Sequence, residues 1–245
     1  MGNKTWKNIE QSNAFRKIKL KLRQYVGIEP KFKKDIDIPT VHYSGWNVVP
    51  SLLNEKSIVY SIGICDDIDF EKNIISLHQT SVFAFDPTPY SIDWIKRQEL
   101  PEGFNFYPWA ASETDGTYFL YPRINKRGEK SSVMFTFHEE EDLRRDGVEV
   151  EAYSLNSMVR KLGHTSVDVL KMDVEGAEYG VLDSMLKSKL RPKMLLIEFH
   201  HRFKGLGKEK TCNAVTDLRN NGYLIADISE TGREFCFIKK SEIKI

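Results

Sequence analysis

The sequence predicts an α/β fold, a mostly parallel sheet with helices on both faces, and three observations predict it. From about Ser57 onward, short β-branched or aromatic runs alternate with stretches of helical period. Each run is near-continuously apolar, as strands covered on both faces are. The chain then closes on "GYLIADIS", the turn "ETG" and "REFCFIKK", which read as an antiparallel hairpin.

The strands, in order, are "SIVYSIG" (57–63), "SVFAFDP" (81–87), "NFYPWAA" (105–111), "VDVLKMDV" (167–174) and "KMLLIEF" (193–199). "FEKNIISLH" and "PYSIDWIKRQ" supply helices between the first three. After the fourth, "AEYGVLDSMLKSKL" sets Ala177, Val181, Leu182, Met185 and Leu186 on one helical stripe. Strand, helix, strand in succession implies right-handed crossovers. Residues 112–150, rich in charge and glycine, read as an irregular surface insertion.

The 245 residues, 40% apolar and 29% charged, suffice for one well-filled core. No run approaches the roughly 18 apolar residues of a membrane span, and charges stand where a signal peptide would be apolar. Cys65, Cys212 and Cys236 are odd in number and widely spaced, which suits neither a disulfide framework nor a zinc site. The expected setting is reducing and cytoplasmic. Gly2 is no lipidation signal, because Trp6 stands where Ser or Thr is required.

The net charge of +1 hides an asymmetry: residues 1–34 carry +8 and the rest −7. In "FRKIKLKLRQYV", Phe15, Ile18, Leu22, Tyr25 and Val26 fall near helical spacing, with Arg16, Lys17, Lys19, Lys21 and Arg23 mostly elsewhere. Residues 1–40 therefore read as a basic helical extension and 41–245 as the main domain. The basic residues within 15–34 either pack on that domain or meet anionic lipid or a partner. The acidic remainder argues against a nucleic-acid substrate.

An open parallel sheet binds its ligand beyond the carboxyl ends of its strands. Asp173 stands where the fourth strand ends, and in extended geometry Glu175 points to the same side. These acids either face the ligand crevice or favour the N-terminus of the next helix. Gly63 follows strand one, where a missing side chain lets a ligand approach the backbone. Asp86 ends strand two, 23 positions later, near the spacing of roughly 20 at which an acid holds adenosine ribose. The G-x-G-x-x-G of a nicotinamide site is absent, and Asp66 and Asp67 in the same loop would repel a pyrophosphate. A cationic ligand, ammonium or sulfonium, is tolerated there.

The pieces "HYSGWNVVP", "SIVYSIGICDDIDFE", "VFAFDPTPYSIDWIKRQELP", "DVLKMDVEGAEYGVLD" and "LLIEFHHRF", followed by the hairpin, occur in an order that resembles the FkbM family of S-adenosylmethionine-dependent methyltransferases, in its bacterial methyltransferase-like branch. The resemblance implies the Rossmann-like class I methyltransferase fold, a seven-stranded sheet with an antiparallel last strand, over the domain 41–245. It implies S-adenosylmethionine as cofactor and S-adenosylhomocysteine as product. Ser61, Gly63, Cys65 and Asp66 would line the methionine end, Asp86 the ribose, Trp109, Ala110 and Ala111 the adenine, and Asp173 the neighbourhood of the transferred methyl. Cys65 stands where the family usually has a second glycine, and puts a side chain into that loop.

Methyl transfer from a sulfonium asks for in-line alignment, exclusion of water and removal of a proton. Asp173, Glu175, Glu198 and His200 are the catalytic candidates. Alternation sets Glu198 and His200 on one side and His201 on the other; His200 is expected as the base, and Glu198 as its orienter or as an acceptor for a substrate hydroxyl. A divalent metal at Asp173 is the remaining option, but no further ligands at recognisable spacing support one. Tyr43 and Trp46 either close over the cofactor or pack in the core. The family resemblance implies O-methylation of a hydroxyl on a sugar, glycan or natural product. The competing reading is a non-catalytic adenosyl-binding or scaffold protein, and a nicotinamide oxidoreductase ranks last.

Overall fold

The apolar runs lie at the centre of the molecule. In the computed structural model, which describes residues 13–124, 130–137, 146–203 and 205–243, β3 (Ile58–Ile62), β10 (Val169–Met172) and β11 (Met194–Glu198) lie side by side in parallel. Nearly all their residues are buried. β4 (Ser81–Phe85) and β5 (Phe104–Tyr107) extend the sheet on one side. β12 (Tyr223–Ile228) and β13 (Glu234–Lys239) extend it on the other, in the order β12-β13-β11-β10-β3-β4-β5. β13 runs antiparallel to both its neighbours. This is the expected seven-stranded, mostly parallel sheet.

Strand alternation gives the sheet two buried faces. Tyr60, Leu170, Met172, Leu195 and Ile197 pack with residues of α4 (Leu155–Lys161), α5 (Glu178–Lys187) and α6 (Gly207–Asn220), among them Met158, Val181, Met185, Val215 and Leu218. Val59, Val169, Met194 and Leu196 face the other way, against Phe70 and Ile74 of α2 (Asp69–His78). There the hairpin of β1 (Val41–Tyr43) and β2 (Trp46–Val48) adds Tyr43 and Trp46, so both aromatics pack in the core. A fully buried side chain of this size contributes about 1.5–3 kcal/mol. α3 (Pro89–Ile95) starts where Thr88 accepts a hydrogen bond from the Ser91 N–H, with Pro89 at the first position.

Two segments differ from the sequence reading. The run 105–111 is not one strand: β5 ends at Tyr107, and β6 (Ala110–Ala111) belongs to another sheet. Pro108 lies in the break, where it has no N–H to give a ladder. Residues 112–150 are not an irregular insertion either. They hold β7 (Gly116–Ile124), β8 (Lys130–Thr136) and the first half of β9 (Val148–Tyr153), which with β6 form a second sheet in the order β6-β9-β7-β8. Among the described residues its buried cluster is small, around Leu120, Val150 and Ala152, so half-exposed strands leave a polar, charge-rich sequence.

The basic segment forms α1 (Asn13–Tyr25), and the chain after it is tied to the main sheet. Asp35 accepts two hydrogen bonds from the Arg219 guanidinium, 2.9 and 2.7 Å, and its N–H donates to the Ile225 carbonyl. Among the described residues, no helix is long and apolar enough to cross a membrane.

Candidate active site

A cavity of about 270 Å³ opens at the carboxyl ends of β3, β4 and β10. Ile62, Gly63 and Cys65 come from the first loop, Asp86, Pro87 and Thr88 from the second, and Asp173, Val174 and Glu175 from the third. Ala110, Ala111, Leu120, Phe135 and Thr136 of the second sheet, with Phe137 just beyond β8, complete the lining.

Gly63 has φ +80°, in the region that favours glycine. The space a Cβ would fill holds the Asp173 carbonyl oxygen. The glycine is therefore required by contact between β3 and β10 as well as by the cavity it borders. Cys65 also has a left-handed backbone, φ +51°, in the region that favours glycine. Its N–H donates to Asp86 Oδ2 at 2.9 Å, its thiol meets Asp66 Oδ1 at 3.5 Å, and the residue borders the cavity. Burial, with Asp66 beside it, pushes the thiol up to about 12, so it is no nucleophile at neutral pH.

Asp86 is nearly fully buried. Its Oδ1 accepts from the Thr88 N–H and hydroxyl, at 2.9 and 2.7 Å. Among the described residues three donors hold it, of the roughly four a carboxylate accepts. One position remains for a ligand hydroxyl.

Three predicted residues turn elsewhere. The Ser61 side chain is buried on the α2 side of β3, where it donates to Glu71 Oε1 at 2.5 Å and accepts from Lys171 Nζ at 3.2 Å. Strand alternation sends it away from the cavity that its neighbour Ile62 lines. Trp109 packs between Tyr107 and Tyr153, ring centroids 4.9 and 5.1 Å away, rather than on the lining. Asp66 is exposed and accepts from the Tyr90 hydroxyl at 3.0 Å.

The acids do converge, by a different geometry from the one alternation suggests. Glu175 is not extended: φ is +49°, and the chain turns there. β7 and β8 hold that turn. Arg123 Nη1 donates to Glu175 Oε2 at 2.7 Å, and the Thr136 hydroxyl donates to the Glu175 carbonyl at 3.0 Å. The Arg123 guanidinium also lies 3.8 Å over the Phe203 ring. Asp173, Glu175 and His200 each bring a ligand atom within 4.8 Å of the others. These three side chains are thus spaced to hold a divalent ion only when His200 has given up its proton, and spacing along the chain gave no sign of the grouping.

His200 is buried beside four carboxylates. Nε2 lies 3.4 Å from Asp173, 3.7 Å from Glu175 and 3.8 Å from Glu198, and Nδ1 lies 3.4 Å from Glu178. Burial disfavours its charge, but Glu178, Asp173 and Glu175 outweigh burial and push it up to about 9. It is an imidazolium at neutral pH, which removes it as the base there. Burial raises Glu175, against the pull of His200 and Arg123. Burial, then Asp173, raises Glu198 to about 8, against its ion pair with Arg233. His201 points the other way and meets Glu29 at 2.5 Å.

Five supporting residues escaped the sequence reading. Arg123 and Thr136 lie in the segment read as irregular. Glu178, fully buried, accepts from the Gly176 and His200 N–H groups at 2.9 and 2.7 Å and joins the two loops that carry the acids and the histidine. Lys171 and Glu71 pair at 3.4 Å beneath the first loop, where Lys171 also reaches the Gly63 carbonyl at 3.4 Å. A lysine inside "VDVLKMDV" was the legible signal, since a buried cation demands a partner.

The FkbM methyltransferase domain matches residues 7–225, nine-tenths of the chain. The chain belongs to the FkbM methyltransferase family. No curated protein matches its sequence. The crystal structure of methyltransferase FkbM from Methylobacillus flagellatus KT aligns with a TM-score of 0.52 at 11% identity, over 91% of this chain and 53% of that one. This FkbM-family chain thus spans about half the length of that protein, and the likeness is one of fold. Fibrillarin from Aeropyrum pernix, in complex with natively bound S-adenosyl-L-methionine, aligns with a TM-score of 0.43 at 12% identity, over 86% of this chain and 85% of its own.

Proposed function

We propose that the protein is an S-adenosylmethionine-dependent methyltransferase acting on a hydroxyl oxygen of a sugar, glycan or natural product. The observation that carries this reading is a cavity, in an FkbM-family chain, whose lining combines small and apolar side chains with unphosphate-like acids: Ala110, Ala111, Phe85 and Leu120 together with Asp86, Asp173 and Glu175. A flat adenine suits the first group, a ribose hydroxyl the free position on Asp86, and a sulfonium cation the acids.

When bound, S-adenosylmethionine supplies a methyl group already activated on its sulfonium. The protein's residues then have four tasks. Asp86 and the β4 loop bind the ribose, and Asp173 faces the positive charge. Phe135 and Phe137 cover the cavity and exclude water. Glu175 accepts the acceptor's hydroxyl proton on a carboxylate oxygen, and its raised proton affinity suits the role. His200, held as a cation, fixes Asp173 and Glu175 as a positioning residue, with Glu198 beside it.

The scaffold alternative drew on Cys65, but the glycine-like backbone there favours an intact loop. The three free cysteines fit a reducing, cytoplasmic setting. The test is calorimetric titration of S-adenosylmethionine and S-adenosylhomocysteine into wild type and Asp86→Ala, followed by an acceptor screen with sugars and glycans. Tight binding that Asp86→Ala weakens at least about tenfold, with turnover on a hydroxyl, supports the reading. Binding without turnover on any acceptor favours the scaffold, and no binding overturns both.

A further inference from the structure

α1 turns its apolar side outward. Leu20 lies over Gly232 in the β12–β13 turn, Lys17 pairs with Glu230 at 3.1 Å, and the Gln24 amide donates to the Pro30 carbonyl at 3.0 Å. The side of the helix that carries Lys17, Leu20 and Gln24 is thereby the attached one. Ile18, Leu22, Tyr25 and Val26, spaced for one stripe, are 58, 61, 83 and 61% exposed, and Ile28 continues them at 54%. Large apolar residues rarely stay exposed as a contiguous row without a partner.

Charge identifies that partner. Lys19 and Lys21 flank the stripe at its two margins, Arg16, Lys17 and Arg23 add charge around the rest of the helix, and no acid occurs from Asn13 to Ile28. Exposed apolar side chains bordered by lysine and arginine on a helix lying along a surface match an anionic bilayer: the stripe enters the acyl boundary and the cations meet the headgroups. A folded protein partner would have to bring acids to both margins of the row.

We propose that α1 docks the protein on an anionic membrane surface, independently of what the cavity binds. The placement is consistent with a role at the site. β12 runs parallel to β11, since β13 opposes both, so the turn under α1 lies at the carboxyl edge of the sheet, as the cavity does. Arg233 of that turn pairs with Glu198, and Glu29, just after the helix, holds His201 and Arg202. A docked α1 sets this edge toward the bilayer.

The full chain is sedimented with vesicles of phosphatidylcholine and phosphatidylglycerol in roughly a two-to-one ratio, and with phosphatidylcholine alone. Binding to the anionic vesicles, weakened by salt and at least about tenfold by Leu22→Asp, Tyr25→Ser or Lys19→Glu/Lys21→Glu, is the expected result. The substituted side chains are exposed, and unchanged melting temperatures verify that the variants fold. The proposal is overturned if wild type stays in solution with anionic vesicles, or if Leu22→Asp sediments like wild type. It is equally overturned if the stripe only joins two copies of the chain, seen by light scattering as a dimer that Leu22→Asp splits without any vesicle binding.

Discussion

The carbonyl oxygen of Asp173 occupies the space that a side chain on Gly63 would need. The first and third loops of the site are thus in backbone contact, and residue 63 sits at φ +80° besides. One alanine methyl at this position strains the first loop and pushes away the acid that borders the cavity.

Gly63→Ala should therefore lower stability by on the order of 3 kcal/mol, combining left-handed strain with a backbone clash. Urea denaturation measures it. An unchanged midpoint would mean that the loops part without cost, and that the packing described here is not what holds them.

Glu175→Gln should remove most methyl transfer, about 10²- to 10⁴-fold in kcat, while ligand affinity changes little. Arg123→Met should lower kcat less, because it frees the Glu175 side chain without removing it. If the Gln variant turns over like wild type, another group takes the proton.

The pH dependence follows from His200 and Glu175. His200 is raised from 6.5 to about 9, so the stability it contributes is fully present below pH 6.5 and is lost as pH rises through about 9. The melting temperature of wild type should fall across that window more than that of His200→Gln. Activity should show an acid limb from ionisation of Glu175 and an alkaline limb near pH 9 from loss of the imidazolium. A rate that instead climbs through pH 9 would restore His200 as the base.

Glu29 is buried between His201, Arg202 and Arg23, at 2.5, 2.6 and 2.7 Å. Burial raises its proton affinity, but His201 and Arg202 prevail and lower it from 4.5 to about 2. Its contribution, on the order of 3 kcal/mol, is present above pH 4.5 and lost as pH falls toward 2. Glu29→Gln should lose a similar amount at neutral pH and flatten the acid side of the stability profile, measured by thermal melts from pH 7 to 3. A variant as stable as wild type at pH 7 would show that the cluster contributes nothing net.

The sequence by itself determined the main sheet, because strands buried on both faces must be apolar throughout and helices must show their period. It also marked Asp86 and Asp173, since a parallel sheet presents its ligand site at strand ends. Ser61 and Trp109 could not be judged that way. Which way each side chain turns depends on the neighbour that meets it, Lys171 and Glu71 in one case and Tyr107 and Tyr153 in the other. Only the tertiary structure decided the second sheet and what it does. Arg123 and Thr136 reach Glu175 from 52 and 39 positions away, and half-exposed strands carry too weak an apolar pattern to announce such a contact. The charge state of His200 was likewise out of reach, because it is set by Glu178, Asp173 and Glu175, which long-range folding gathers around one buried ring.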